Sequence, residues 1–151
     1  MKICMTNILS GKWIFDSNLL IYSLNLDSPF HEKTSQLFLL ATENHIQIAV
    51  AQQNILETHK ALIRVYHRTP NESVNALENM LSTFISEVIH PQPQTLHRYH
   101  MLLAQAQTTP IDLFDYYLAA TMLDNGINRI LTVNSKDFSQ IPGIEAVNPF
   151  V

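Results

Sequence analysis

Asp16, Glu57, Asp115 and Asp137 come from four separate stretches of the chain, and each stands at the border of an apolar run. Asp16 ends WIF, Glu57 follows IQIAVA within the next segment, Asp115 opens YYLAATML, and Asp137 follows RILTV. Carboxylates held close together raise one another's pKa, and burying them without compensation is costly. A divalent cation resolves that conflict. Hard oxygen ligands with neither cysteine nor histidine among them favour Mg²⁺ or Mn²⁺ over zinc. Such an ion lowers the pKa of a bound water and neutralises charge on a phosphoryl group, chemistry suited to phosphodiester hydrolysis.

Each acid also has a plain structural reading. Asp16 could cap the turn after its strand, Glu57 could be a first-turn acid beside Lys60, and Asp137 could start a turn. An acid in the first turn of a helix gains roughly 0.3–1 kcal/mol from the dipole. Asp112 and Asp115 lie three apart in PIDLFDYYLAATMLDNG and share a helix face, so both could reach one ion. The entrance Pro110-Ile111-Asp112 favours a cap for Asp112; the other reading is an acid that orients a metal-bound water.

The elements that would position these acids are legible as short apolar runs alternating with helical periodicity. Residues 13–16, 46–51 and 129–133 read as buried strands, with a shorter strand in EVIH and an edge strand in IEAVNPF. Helices are expected from about Pro29 with Ser28 as its cap, over QNILETHKALIRVYHR, over NESVNALENMLSTFI after Pro70, over TLHRYHMLLAQAQ, and from Pro110 to Gly126. Gly126 suits the left-handed position that ends a helix. Alternation of this kind predicts an α/β fold with a mainly parallel sheet of four to five short strands. Sites in such sheets lie beyond the carboxyl ends of the strands, where these acids fall.

At 151 residues, with 46% apolar and 15% charged residues, the chain is expected to form one domain over 12–151. Residues 1–11 show no packing period and are expected to be a loosely held arm or a contact for a partner, or to precede the true start. A single cysteine, Cys4, allows no internal disulfide and fits a reducing cytoplasm. No apolar run approaches the roughly 20 residues that span a membrane, and MKICMTNILSGKW has no continuous apolar region leading to a small-residue cleavage site, so secretion is not expected. The net charge of −4 does not attract nucleic acid, so polyanion binding must rest on a metal or a local basic patch. Lys60, Arg64 and Arg68 are spaced four apart on one expected helix with His67 beside them, either a solvated face or a track for RNA phosphates. His97 and His100 lack a third ligand for zinc, and no GxGxxG, GxxxxGK[ST] or GxSxG occurs.

The ordered set of motifs resembles the PIN domain family, and within it the VapC-like toxins of toxin–antitoxin pairs. FDSNLLIY is similar to that family's first motif, with Ser17 where Thr is usual, and NILETHKAL to its second. DYYLAATMLDNGINRILTVNSKDFSQIPGIEAVNP resembles the third and fourth run together. The resemblance spans about residues 13–149. It implies a three-layer α/β/α sandwich and Mg²⁺- or Mn²⁺-dependent ribonuclease activity. It also implies a cognate antitoxin, a homodimer, and Asp16, Glu57, Asp115 and Asp137 as metal-binding acids. Asn134 stands where some members carry an acid, and Asn18, Asp112 and Asn134 are candidates to orient the ligands. A non-catalytic PIN-like binding module and a structure-selective DNA nuclease with the same metal chemistry are the alternatives, since no residue visibly reads a 2′-OH.

Overall fold

The computed structural model describes residues 9–43, 45–107 and 110–151. In chain order its elements are β1 (Gly11–Phe15), α1 (Ser17–Leu24), α2 (His31–Thr42), β2 (Ile46–Ala51), α3 (Gln52–Arg64), α4 (Pro70–Phe84), β3 (Ile85–Ile89), α5 (Thr95–Gln105), α6 (Leu113–Asp124), β4 (Arg129–Leu131), α7 (Ser135–Phe138) and β5 (Glu145–Val147). The five strands form one sheet in the order β3-β2-β1-β4-β5, and every neighbouring pair is parallel.

Parallel strands need crossovers, and these place helices on both faces, which is why the strands read as continuous apolar runs. Alternation along each strand separates two cores. Trp13, Phe15, Ile48 and Val50 face one side, with Leu19 and Leu20 of α1, Leu37 and Phe38 of α2 and Leu77 of α4. Ile14, Ala49, Ala51 and Ile130 face the other, with Leu102 of α5 and Leu118, Ala119 and Met122 of α6. The α/β/α sandwich expected from the sequence is therefore present.

Several boundaries differ from the expected ones, each for a local reason. β1 starts at Gly11, Leu9 is buried in the first core, and the Trp13 indole donates to the Ser10 carbonyl at 3.1 Å, so residues 9–11 pack with the domain. The rest of the expected arm, residues 1–8, lies outside the described residues. Ser28 does not cap a helix. Its hydroxyl accepts from the Phe30 N–H at 3.2 Å, closing a turn, and α2 begins at His31. α3 stops at Arg64, short of Arg68: His67 takes a left-handed φ of 54° and the Arg68 N–H reaches back to the Leu62 carbonyl at 2.9 Å. The expected three-residue basic stripe thus has two members on the helix and one in the turn beyond it. Gly126 does end α6 with a left-handed φ of 71°.

Candidate active site

β1 and β4 are neighbours, so their carboxyl ends lie side by side. Asp16 follows β1 directly, is only 5% exposed, and caps α1 by accepting the Ser17 N–H at 2.8 Å. Thr132 follows β4, and its hydroxyl donates to Asp16 Oδ2 at 2.6 Å. The same Thr132 oxygen accepts the Asn134 N–H at 3.0 Å, which fixes the direction of its own proton. Asn18 donates to Asp16 Oδ2 at 3.4 Å, and the buried Asn54, at the start of α3, donates to Oδ1 at 3.3 Å. Asp16 is therefore held from three elements. Burial pushes its carboxyl above the usual range and the Glu57 charge adds to this, while the Thr132 and Ser17 hydrogen bonds act in the opposite sense.

Glu57 sits in the second turn of α3, into which β2 runs directly. The Ser17 hydroxyl donates to its Oε2 at 2.7 Å and lies 3.5 Å from Asp16 Oδ1, so one residue ties the two carboxylates together. Gln53, one turn earlier on α3, donates to Glu57 Oε1 at 2.9 Å and to the Phe114 carbonyl at 3.1 Å. That second contact brings the start of α6 alongside α3.

Asp112 caps α6, its Oδ1 accepting the N–H groups of Phe114 at 2.9 Å and Asp115 at 3.2 Å. Asp115 lies one turn inside and is half-buried, and its Oδ2 is buried with no hydrogen-bond partner. Its pKa is raised to about 7, first by burial and then by the charges of Asp112, Asp16, Asp137 and Glu57. All five acids thus act on one spot. Asp112, Asp115 and Asp137 line a cavity of about 350 Å³ with Pro110, Ile111, Tyr116 and Gln140. Asp137 is exposed on α7, as is Asn134, whose side chain makes no cap.

Among the described residues, no three His, Cys, Asp or Glu side chains already form a metal cage. The donor set nevertheless fits a hard divalent cation: an orphaned buried carboxylate oxygen stands amid mutually repelling acids, and among the described residues no cationic side chain is bonded to them. Lys60 and Arg64 are exposed on α3 past Glu57, and among the described residues none of the basic trio is bonded to an acid. Reasoning from sequence missed Thr132, Asn54 and Gln53. Thr132 is a single polar residue between Leu131 and Val133, which was the available signal; Asn54 follows Gln52 and Gln53 in a polar run and carried none.

A parallel five-stranded sandwich with acids gathered at the carboxyl edge defines a class, and comparison with known proteins agrees. The chain belongs to the PIN domain family, whose model matches residues 13–144. No curated protein matches it in sequence. Among solved structures it is similar in fold to VapBC2 from Rickettsia felis bound to a DNA fragment from their promoter (TM-score 0.69, 19% identity, 91% of this chain and 98% of that one). It is also similar to VapC20 of Mycobacterium tuberculosis, a sarcin–ricin loop cleaving toxin (0.65, 19%, 86% and 93%). FitAcB from Neisseria gonorrhoeae is a third (0.68, 17%, 91% and 97%). Among the described residues, no helix is long and apolar enough to cross a membrane.

Proposed function

We propose that this protein is a metal-dependent endoribonuclease, the cytoplasmic toxin of a toxin–antitoxin pair, working as a homodimer. The observation that carries the reading is Asp115. Its carboxyl is pushed to about 7 by burial and four other acids, and one of its oxygens is buried without a partner. A chain without chemistry to perform gains nothing from such repulsion, which argues against a non-catalytic module. Asp115, Asp16, Glu57 and Asp137 would hold Mg²⁺ or Mn²⁺. Bound there, the ion would supply an activated water and neutralise phosphoryl charge.

The chain's own residues supply orientation. Four donors fix the Asp16 carboxylate, and Ser17 and Gln53 aim Glu57. At neutral pH, Asp115 Oδ2 can hold a proton until a cation displaces it. The two α3 cations and Arg68 provide the local positive charge that a chain of net charge −4 needs in order to meet a phosphodiester. The antitoxin and homodimer rest on the family resemblance and on the toxin-system proteins that share the fold.

The test is cleavage of single-stranded RNA and of DNA of the same sequence by purified protein, with Mg²⁺, Mn²⁺ or EDTA. RNA should be cut with metal and spared with EDTA, and Asp16→Asn should lower the rate by orders of magnitude while remaining folded. Undiminished cutting by that variant would remove the assignment; cutting of DNA alone would replace ribonuclease with the DNA alternative.

A further inference from the structure

Among the described residues, three buried side-chain polar atoms have no hydrogen-bond partner: Asn18 Oδ1, Gln53 Oε1 and Asp115 Oδ2. All three belong to the acid site. Asn18 is bonded to Asp16, Gln53 to Glu57, and Asp115 is itself one of the acids. All three atoms are also acceptors, so what the site lacks is donors. A buried acceptor left unpaired is costly.

Gln53 stands apart from the other two because it joins two elements. Its Nε2 donates to Glu57 Oε1 at 2.9 Å on its own helix and to the Phe114 carbonyl at 3.1 Å on α6. Among the described residues, that second contact is the one hydrogen bond between α3 and α6. It falls on the residue directly before Asp115, so one amide sets the separation of Glu57 from the start of α6. The orientation of that amide is fixed. A carboxylate oxygen and a backbone carbonyl can only accept, so the nitrogen must face both of them. Both N–H groups are then used, and the carbonyl oxygen is the one group of the side chain left unfilled. The resonance that flattens a peptide bond also flattens a side-chain amide. Oε1 therefore lies on the same side as one of those N–H groups, beside either Glu57 or the α6 entrance.

We propose that Gln53 is a positioning residue that makes the acid site selective for a small cation that keeps its water. Its two N–H groups hold Glu57 and the α6 entrance at one spacing, and its carbonyl oxygen accepts a hydrogen bond from the hydration shell of the ion. Mg²⁺ demands near-octahedral geometry and dehydrates reluctantly, whereas the larger Ca²⁺ accepts more oxygens in flexible geometry. A fixed spacing and a neutral acceptor for water therefore favour Mg²⁺. A direct bond from Oε1 to the ion would act in the opposite sense, because side-chain amide oxygens are ordinary Ca²⁺ ligands. The inference rests on the cation reading of the acid site and names what there tells one hard ion from another.

The experiment is calorimetric titration of Mg²⁺ and of Ca²⁺ into the parent chain, into Gln53→Met, and into Gln52→Met as a control at an exposed neighbour. Methionine has a helix propensity like that of glutamine, no N–H to donate and only a weak acceptor. Gln53→Met should lower Mg²⁺ affinity about 10–100-fold and Ca²⁺ affinity much less, so the preference of the parent for Mg²⁺ collapses. Gln52→Met should behave as the parent. A second readout, taken on the parent alone, is the nuclear magnetic resonance of the Gln53 side-chain amide. Mg²⁺ should move its carbonyl-carbon signal downfield as that oxygen gains a hydrogen bond, while both N–H signals stay away from their solvent positions. An unchanged preference in Gln53→Met, a loss for Ca²⁺ as large as for Mg²⁺, or a carbonyl signal indifferent to bound Mg²⁺ overturns the role of Gln53 alone. Absence of Mg²⁺ and Ca²⁺ binding by the parent overturns that role and the cation reading together.

Discussion

Replacing Asp115 with Asn should stabilise the metal-free protein at neutral pH, although it removes a charge from the front of a helix. The folded carboxyl binds its proton up to about pH 7, whereas the unfolded chain releases it near 3.8. Between those values the folded state holds more protons than the unfolded one, so stability is greatest below about pH 4 and falls as pH rises to about 7. In full, that difference carries about 4 kcal/mol at 1.36 kcal/mol per pH unit. Asp115 is only partly buried, and water on its open side screens this to roughly 2 kcal/mol. Losing a first-turn acid returns about 0.3–1 kcal/mol of the gain. The net is about 1–2 kcal/mol, or roughly 2–8 °C in melting temperature for a chain of this size. Urea and thermal unfolding of both proteins in EDTA, at pH 4, 5.5, 7 and 8, would read it. The two curves should converge near pH 4, separate progressively as pH rises, and reach their full gap above about pH 7. A variant less stable than the parent at pH 8, or a gap independent of pH, would refute the account of Asp115.

Asp112→Ala removes the acceptor for two α6 N–H groups and should cost about 0.5–2 kcal/mol by urea unfolding while leaving most of the cleavage rate. A folded Asp112→Ala as inactive as Asp16→Asn would instead place Asp112 in the site. Thr132→Val keeps the shape but deprives Asp16 Oδ2 of its shortest hydrogen bond. It should lower cleavage or metal affinity about 10–100-fold, and an unaltered rate and affinity would show that Asp16 needs no such support.

The central strands were legible because Trp13–Phe15, Ile48–Ala51 and Ile130–Leu131 are buried and read as apolar runs, and their carboxyl ends therefore located Asp16 and the approach to Glu57 and Asp137. What spacing along a chain does not convey is which strand end lies beside which. Thr132 is one polar residue after RIL, and its bond to Asp16 exists only because β4 pairs with β1. Asn54 and Gln53 likewise act across elements, one on Asp16 and the other on the Phe114 carbonyl. The misjudged ends have local causes: a Ser28 turn in place of a cap, and a left-handed His67 where glycine would have announced the stop. Asp112 was readable as a cap from Pro110-Ile111-Asp112 because capping depends only on its own neighbours.

Calorimetric titration of Mn²⁺ into the protein at pH 7, repeated in two buffers of different ionisation enthalpy, tests most directly whether the converging acids are a cation site. Because Asp115 sits near half-protonation at that pH, binding should release about half a proton per ion, with the release gone and affinity sharply lowered in Asp115→Asn. No Mn²⁺ binding, or binding of equal strength by parent and variant, would contradict it.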